Sequence, residues 1–265
     1  MSSSMKLSEL AAELTEWIRA RVHEAGARGV VLGMSGGLDS SIAAVLCKRA
    51  FPDTSLGLIL PCFSRQEDLE HARLVAAQFS IETNEIELTS CFTLIHDRLQ
   101  AAAHKAHGRA AGGVTIDLAA ANLKPRLRMC CLYYFANSLH YLVVGTGNKS
   151  ELAIGYFTKY GDGAVDILPL GDLLKTELRA LAEVLGIPRM IIEKPPSAGL
   201  WEGQTDEGEL GVRYADLDRI IIALEHGDSH GMRSGCDPEL VLRVKGMMEA
   251  SRHKREQIPI FRRTR

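Results

Sequence analysis

Leu7, Leu10, Leu14, Trp17, Ile18 and Val22 recur at helical spacing with charged residues between them, which predicts an amphipathic helix over 6–25 that packs on a sheet. Short apolar runs follow at 30–32, 56–60, 84–88 and 142–144, each of strand length, separated by helical patterns at 40–50, 65–79, 91–107 and 116–140. This alternation predicts an α/β fold, a doubly wound, mainly parallel sheet with helices on both faces. Ligands of such sheets lie beyond the carboxyl ends of the strands, here the loops 33–41, 61–65 and 145–151, of which the first and last are expected to converge. Residues 155–171 are too rich in glycine for a helix and read as a structured loop. Helical signals return at 172–185, stopped by Gly186 and Pro188, and again at 214–226 and 238–252. Between them, 194–207 carries Pro195, Pro196 and Trp201 and reads either as a mobile lid or as an inert surface connection.

Composition narrows the class. With 265 residues, 46% of them hydrophobic, the chain can bury a full core, and one domain over 1–265 is expected. The 31 Lys and Arg nearly balance 33 Asp and Glu, so the overall basic field that recruits a nucleic-acid backbone is missing. Arg252, His253, Lys254, Arg255, Arg262 and Arg263 form a basic tail that reads by default as a solvated terminus. The six cysteines contain no C-x-x-C pair and read as reduced core residues of a cytosolic protein. No apolar leader and no run near the ~20 residues of a membrane span is seen, so a soluble, cytoplasmic protein with no membrane partner is expected.

The chemistry lies in Gly33, Met34, Ser35, Gly36, Gly37, Leu38, Asp39, Ser40 and Ser41, between a strand and a helix. Gly36 and Gly37 lack Cβ atoms, so the backbone is free to take positive φ and approach an anion, while the first-turn N–H groups of the helix point at it. The lysine of a Walker loop is missing, and Asp39 stands instead at the helix mouth, on an exposed loop. A carboxylate there repels bare phosphate but suits a divalent cation held between it and the phosphates. The plainer reading is that Asp39 or Ser40 only caps the helix.

Ser35-Gly36-Gly37-Leu38-Asp39-Ser40 resembles the signature of the PP-loop ATP pyrophosphatases, which split ATP between the α and β phosphates and adenylate a substrate. Gly145-Thr146-Gly147-Asn148-Lys149-Ser150-Glu151, running on through Gly155-Tyr156-Phe157-Thr158-Lys159-Tyr160-Gly161-Asp162-Gly163, resembles the NAD synthetases within that superfamily. The likeness extends from the first loop to the last helix. It implies a homodimer that binds ATP, deamido-NAD and ammonia. It also implies Mg²⁺ held by Asp39 and Glu151, although Glu151 alone reads equally as an acid favoured by a helix N-terminus. The resemblance assigns ATP contacts to residues 33–40, Thr146, Lys175 and Ser197, and deamido-NAD contacts to Arg126, Lys159, Asp166, His253 and Lys254. Each basic residue taken alone reads as a surface charge.

The implied reaction has the nicotinate carboxylate attack the ATP α-phosphorus, releasing pyrophosphate, after which ammonia displaces AMP from the acyl adenylate. Asp39, Glu151 and Lys175 are the residues expected to serve that chemistry. No nucleophilic side chain is required. About thirty residues precede the first strand, too few for a fused amidase domain of ordinary size, so free ammonia is the expected nitrogen donor. A synthetase subunit fed by a separate glutaminase, a PP-loop enzyme acting on tRNA, and a nucleotide sensor without chemistry remain as alternatives.

Overall fold

The computed structural model of the protein describes residues 3–107, 118–199, 201, 203–228 and 231–263. The first two positions of the helix expected over 116–140, and Leu200 and Glu202 of the expected lid, lie outside the described residues.

Four strands, β1 (Gly29–Gly33), β2 (Ser55–Ile59), β3 (Glu82–Glu85) and β4 (Tyr141–Val144), form a parallel sheet in the order β3-β2-β1-β4. Alternate residues of the central strand face opposite ways, as a two-residue period requires. Val30 and Leu32 join a core with α1 (Ser3–Glu24), α2 (Leu38–Ala50), α3 (Gln66–Gln78) and α7 (Lys175–Leu185). Val31, with Leu56, Leu58 and Val143, joins a second core against α4 (Thr89–His107) and α5 (Leu118–Leu139). Both faces of the sheet are therefore covered, as expected for a doubly wound fold.

The third strand differs from expectation. The apolar run at 84–88 suggested it, yet the residues paired with β2 are Glu82 to Glu85, a polar edge. Ile86 and Leu88 still donate N–H bonds to Ile59 O and Pro61 O at 2.9 and 2.8 Å while their side chains turn into the second core. Charged side chains on an edge strand discourage pairing with other chains, and Glu82 and Glu85 place such charges on this edge.

A third cluster is built on α6 (Lys149–Ile154), α9 (Asp206–Leu210), α10 (Tyr214–Glu225) and α11 (Pro238–Ala250), with Leu217, Ile220 and Val244 fully buried. The short α6, α9, α8 (Arg189–Ile192) and α12 (Arg252–Arg255) give too few turns for periodicity to be read from sequence. Helix α7 begins at Lys175 rather than 172 and ends as expected at Gly186, whose φ is +81°. Residues 155–171 hold no helix and meet the sheet along β4, through a bridge between Val144 and Ile167 and bonds of Asp166 to Val143, in keeping with a structured loop.

The topology fixes where chemistry can occur. After β1 the chain winds to one side of the sheet through β2 and β3, then returns to place β4 on the other side of β1. The loops leaving β1 and β4 consequently flank a crevice at the switch point.

Candidate active site

A cavity of about 830 Å³ opens at that crevice, lined among others by Ser35, Asp39, Thr146, Glu151, Lys175 and Ser197. Its size falls within the range of small-molecule sites, roughly 300–1,000 Å³.

The loop after β1 is shaped by one glycine. Gly36 has φ +76°, and a Cβ there would lie 2.0 Å from the Asp68 carbonyl oxygen. Gly37, expected to share that conformation, is instead extended at φ −89° and is the N-cap of α2. Hydroxyls tie the loop to the helix: Ser35 N–H donates to Ser40 Oγ at 3.2 Å, and Ser41 donates to Gly37 O at 2.7 Å. Capping of α2 by the side chain of Asp39 or Ser40 is ruled out, because the N-cap is Gly37 and makes no side-chain bond.

Asp39 is also not on an exposed loop. It lies in the first turn of α2 at 8% exposure and meets the ammonium of Lys175, Nζ to Oδ1 and Oδ2 at 2.9 and 2.8 Å. Asn148 Nδ2 donates to Asp39 Oδ2 at 2.7 Å, joining the β4 loop to the β1 loop. Asn148 is also the N-cap of α6: it accepts the Glu151 N–H at 3.0 Å, while Glu151 Oε2 accepts the Asn148 N–H at 3.2 Å. Glu151 thus completes a capping box and turns its other oxygen, Oε1, to Lys175 Nζ at 3.4 Å. Glu151 is thus a helix-terminal acid, as one of its two sequence readings had it, and it also lines the cavity.

Burial raises the Glu151 carboxyl to about 8, with Lys175 opposing the rise and Asp39 adding to it. Burial acts to lower the Lys175 ammonium, but Asp39 and Glu151 outweigh it and hold the lysine above its ordinary value. Asp39, at the shorter distances, is its main counter-ion. Lys175 Nζ also lies 5.2 Å from the Tyr214 ring centroid, and the Tyr214 hydroxyl donates to Asp206 Oδ2 at 3.1 Å. Burial first, then the neighbouring Glu151 and Asp206, push the Tyr214 phenol upward.

Of the other expected ATP contacts, Thr146 lines the cavity and Ser197 Oγ accepts the Gly199 N–H at 3.1 Å. The deamido-NAD set is more dispersed. Lys254 lines the cavity and donates to Gly155 O and Phe157 O at 2.7 and 2.8 Å. Lys159 donates to His253 O at 2.6 Å and Arg126 donates to Lys159 O at 3.3 Å, so these three meet at the surface beside the cavity. Asp166 accepts the Val143 N–H at 2.8 Å and the Tyr133 hydroxyl at 3.0 Å, which splices the 155–171 loop to β4.

Sequence reasoning missed Asn148, Asp206, Tyr214, Asp162 and Lys194. Asn148 was within reach, because Asn followed three residues later by Glu is a helix-start signature. Asp162, lining the cavity, accepts the Thr158 N–H at 2.9 Å, and desolvation raises its carboxyl. Lys194 fastens the start of the 194–205 segment to Asp68 on α3 at 2.5 Å.

A parallel sheet carrying an S-G-G-x-D-S turn, with carboxylates from the β1 and β4 loops gathered at its switch point, defines an ATP-binding α/β protein of the PP-loop class. The comparisons are narrower. The NAD synthase family profile matches residues 10–258. The NH(3)-dependent NAD(+) synthetase of Carboxydothermus hydrogenoformans is 46% identical over 94% of this chain and 96% of its own. That of Archaeoglobus fulgidus is 47% identical over 97% and 98%. The solved structure of NMN synthetase from Francisella tularensis superposes with a TM-score of 0.83 at 32% identity, covering 96% of this chain and 98% of that one. The chain belongs to the NAD synthase family.

The geometry has two consequences for stability. Asp39→Asn and Lys175→Met should each destabilise the fold by about 3–5 kcal/mol in urea unfolding, since each leaves a buried charge without its partner, and the double variant should recover most of the loss. The second concerns acid. Burial opposes ionisation of Asp68, but hydrogen bonds from Lys194 and Arg65 prevail and hold it below the usual carboxylate value. A depressed folded-state pKa gives stability that is present above the unfolded value, about 4, and is lost as pH falls through the folded one. The melting-temperature difference between wild type and Asp68→Asn should therefore be largest near neutrality and vanish in strong acid.

Proposed function

We propose that this protein is a C–N ligase that amidates deamido-NAD with ammonia at the expense of ATP, giving NAD, AMP and pyrophosphate. The observation that carries the reading is the meeting of Asp39 and Glu151 on Lys175 at the mouth of the phosphate loop. Relatives named for ammonia-dependent NAD synthesis match it end to end, which favours ammonia over a glutamine donor.

The loop 33–40 and the first turn of α2 would receive the ATP phosphates, with Thr146 and Ser197 on the other walls of the cavity. Asp39 and Glu151 offer hard oxygen donors, and among the described residues no group of three or more His, Cys, Asp or Glu forms an all-protein cage. That donor set fits Mg²⁺, which takes one or two carboxylates and completes its shell with water and phosphate oxygens. When bound, Mg²⁺ would neutralise phosphate charge. Lys175 supplies a cation fixed at the same point, raised so firmly that it stays protonated throughout the neutral range. The nicotinate carboxylate would attack the α-phosphorus in line with departing pyrophosphate, and ammonia would then displace AMP. The protein aligns the reactants, an effect that reaches roughly 7–11 kcal/mol of barrier.

Arg126, Lys159, Asp166, His253 and Lys254 are assigned to deamido-NAD. Three of these, Arg126, Lys159 and His253, meet beside the cavity mouth, which suits a dinucleotide extending out of it. The chain is treated as one domain acting as a homodimer. Support for the dimer comes from exposed Leu94 and Leu99 on α4 and Leu118 and Tyr134 on α5. Among the described residues no helix is long and apolar enough to cross a membrane. Six unpaired thiols suit a cytoplasmic location, although Cys91 and Cys130 are exposed rather than in the core as expected.

With purified protein, Mg²⁺-ATP and ammonium, deamido-NAD should yield NAD and AMP in equal amounts, with nicotinate mononucleotide a poorer acid substrate and glutamine a poorer nitrogen donor. Formation of ADP, or faster turnover of the mononucleotide, would overturn the assignment. Leu99→Glu should move the protein toward the monomer in sedimentation velocity, and an unchanged profile would remove the dimer face.

A further inference from the structure

At the start of helix α7, Glu177 Oε2 accepts the Leu174 N–H at 2.8 Å, but no side chain of the helix itself caps the N–H groups of its first two residues. Its N-cap position is Leu174, whose side chain makes no capping bond. The first two helical N–H groups are nevertheless bonded from elsewhere in the chain: Lys175 N–H donates to Ser150 Oγ at 2.9 Å, and Thr176 N–H donates to Asp218 Oδ2 at 2.9 Å. Asp218 uses its other oxygen, Oδ1, to accept the Ser150 hydroxyl proton. A serine hydroxyl has one proton to give, so donating it to Asp218 leaves a lone pair facing the Lys175 N–H. Ser150 is 0% and Asp218 2% exposed, so neither exchanges its partners for water.

We propose that Asp218 is a positioning residue for the adenylation step. From α10 it locks the N-terminus of α6 to the N-terminus of α7 and thereby sets Glu151 against Lys175. Glu151 follows Ser150 directly on α6, and Lys175 is the residue whose own N–H the serine accepts. Tyr214 lies four residues before Asp218, on the same face of α10, and places its ring under the Lys175 ammonium. Helix α10 thus holds that lysine at both ends, the backbone through Asp218 and Ser150 and the ammonium over Tyr214.

The chemistry explains why the residue is acidic. Two donors, an O–H and an N–H, converge on one side chain, and a carboxylate has an acceptor oxygen for each whereas an amide has one. Its negative charge at the start of α7 also complements the helix dipole. Asp218 touches no reactant in this arrangement. It acts through Lys175 and Glu151, and the proposal rests on the reading that those two serve the ligase reaction.

Asp218→Asn, Ser150→Ala and the double variant, each in the full chain, test it. The single variants should lower kcat ten- to a hundredfold, the range seen when groups that orient site residues are removed, with KM for ATP and deamido-NAD little changed. The double variant should be no worse than the poorer single one, because both break the same bridge. Amide hydrogen exchange over the first turn of α7 should quicken in both while the first turn of α2 keeps its protection. Full kcat in Asp218→Asn, additive losses, or unchanged exchange in α7 would overturn the proposal. If Asp218→Asn fails to fold, Ser150→Ala carries the test, and full kcat in that variant is equally fatal. A wild-type protein that forms no NAD would instead sink the functional reading and this proposal with it.

Discussion

The ammonium of Lys175 lies at the point where three helix N-termini meet. Asp39 comes from the first turn of α2, Glu151 from the first turn of α6, and the lysine itself opens α7. N-terminal turns carry partial positive charge and bare N–H groups, so gathering three of them into one buried spot is favourable only if acids accompany them. Asp39 and Glu151 meet that requirement, and Lys175 is the counter-ion of Asp39. Removing Asp39 or Lys175 leaves a buried charge without its main partner. The rest of the crevice is built around this constraint. Asn148 ties the two carboxylate loops together, Tyr214 and Asp206 close the far side, and the sheet supplies the switch point that brings the loops within reach.

A similar economy governs the glycine-rich stretch 155–171. A segment without helix or strand leaves carbonyls that must find partners if they are buried. Lys254 serves Gly155 O and Phe157 O, and Asp166 takes the β4 N–H that a neighbouring strand would otherwise bond. Side chains that resemble substrate contacts in sequence therefore also hold the backbone of the loop that forms the cavity wall. The two duties are compatible, because a cation fixed by carbonyls keeps its charge at a defined place beside the site.

The outline of the fold was legible in the chain. Four apolar runs separated by helical periodicity specify a covered parallel sheet, and the S-G-G-x-D-S turn after the first run lines the cavity at the carboxyl end of β1, where it was expected. The edge strand was misplaced because apolar Ile86 and Leu88 mark burial in a helix-packed core, whereas the β3 ladder uses polar residues that gain little from side-chain packing. The short helices α6, α8 and α9 were invisible for another reason: one turn or so gives no period to read.

The site divides along the same line. Residue type and spacing by themselves determined the glycine-rich strand-to-helix turn and its acid, because backbone geometry at such a turn depends on neighbours in sequence, whereas Glu151 was singled out through the resemblance to the NAD synthetases. Tertiary structure alone decided that Asp39 is buried, that Lys175 is its counter-ion, and that Ser150 of α6 and Tyr214 and Asp218 of α10, the last two some forty residues away along the chain, surround that lysine. Those partners are set by packing of α7 and α6 on α10, and a buried charge pair leaves no periodic trace, since its energy depends on desolvation and distance rather than on local pattern.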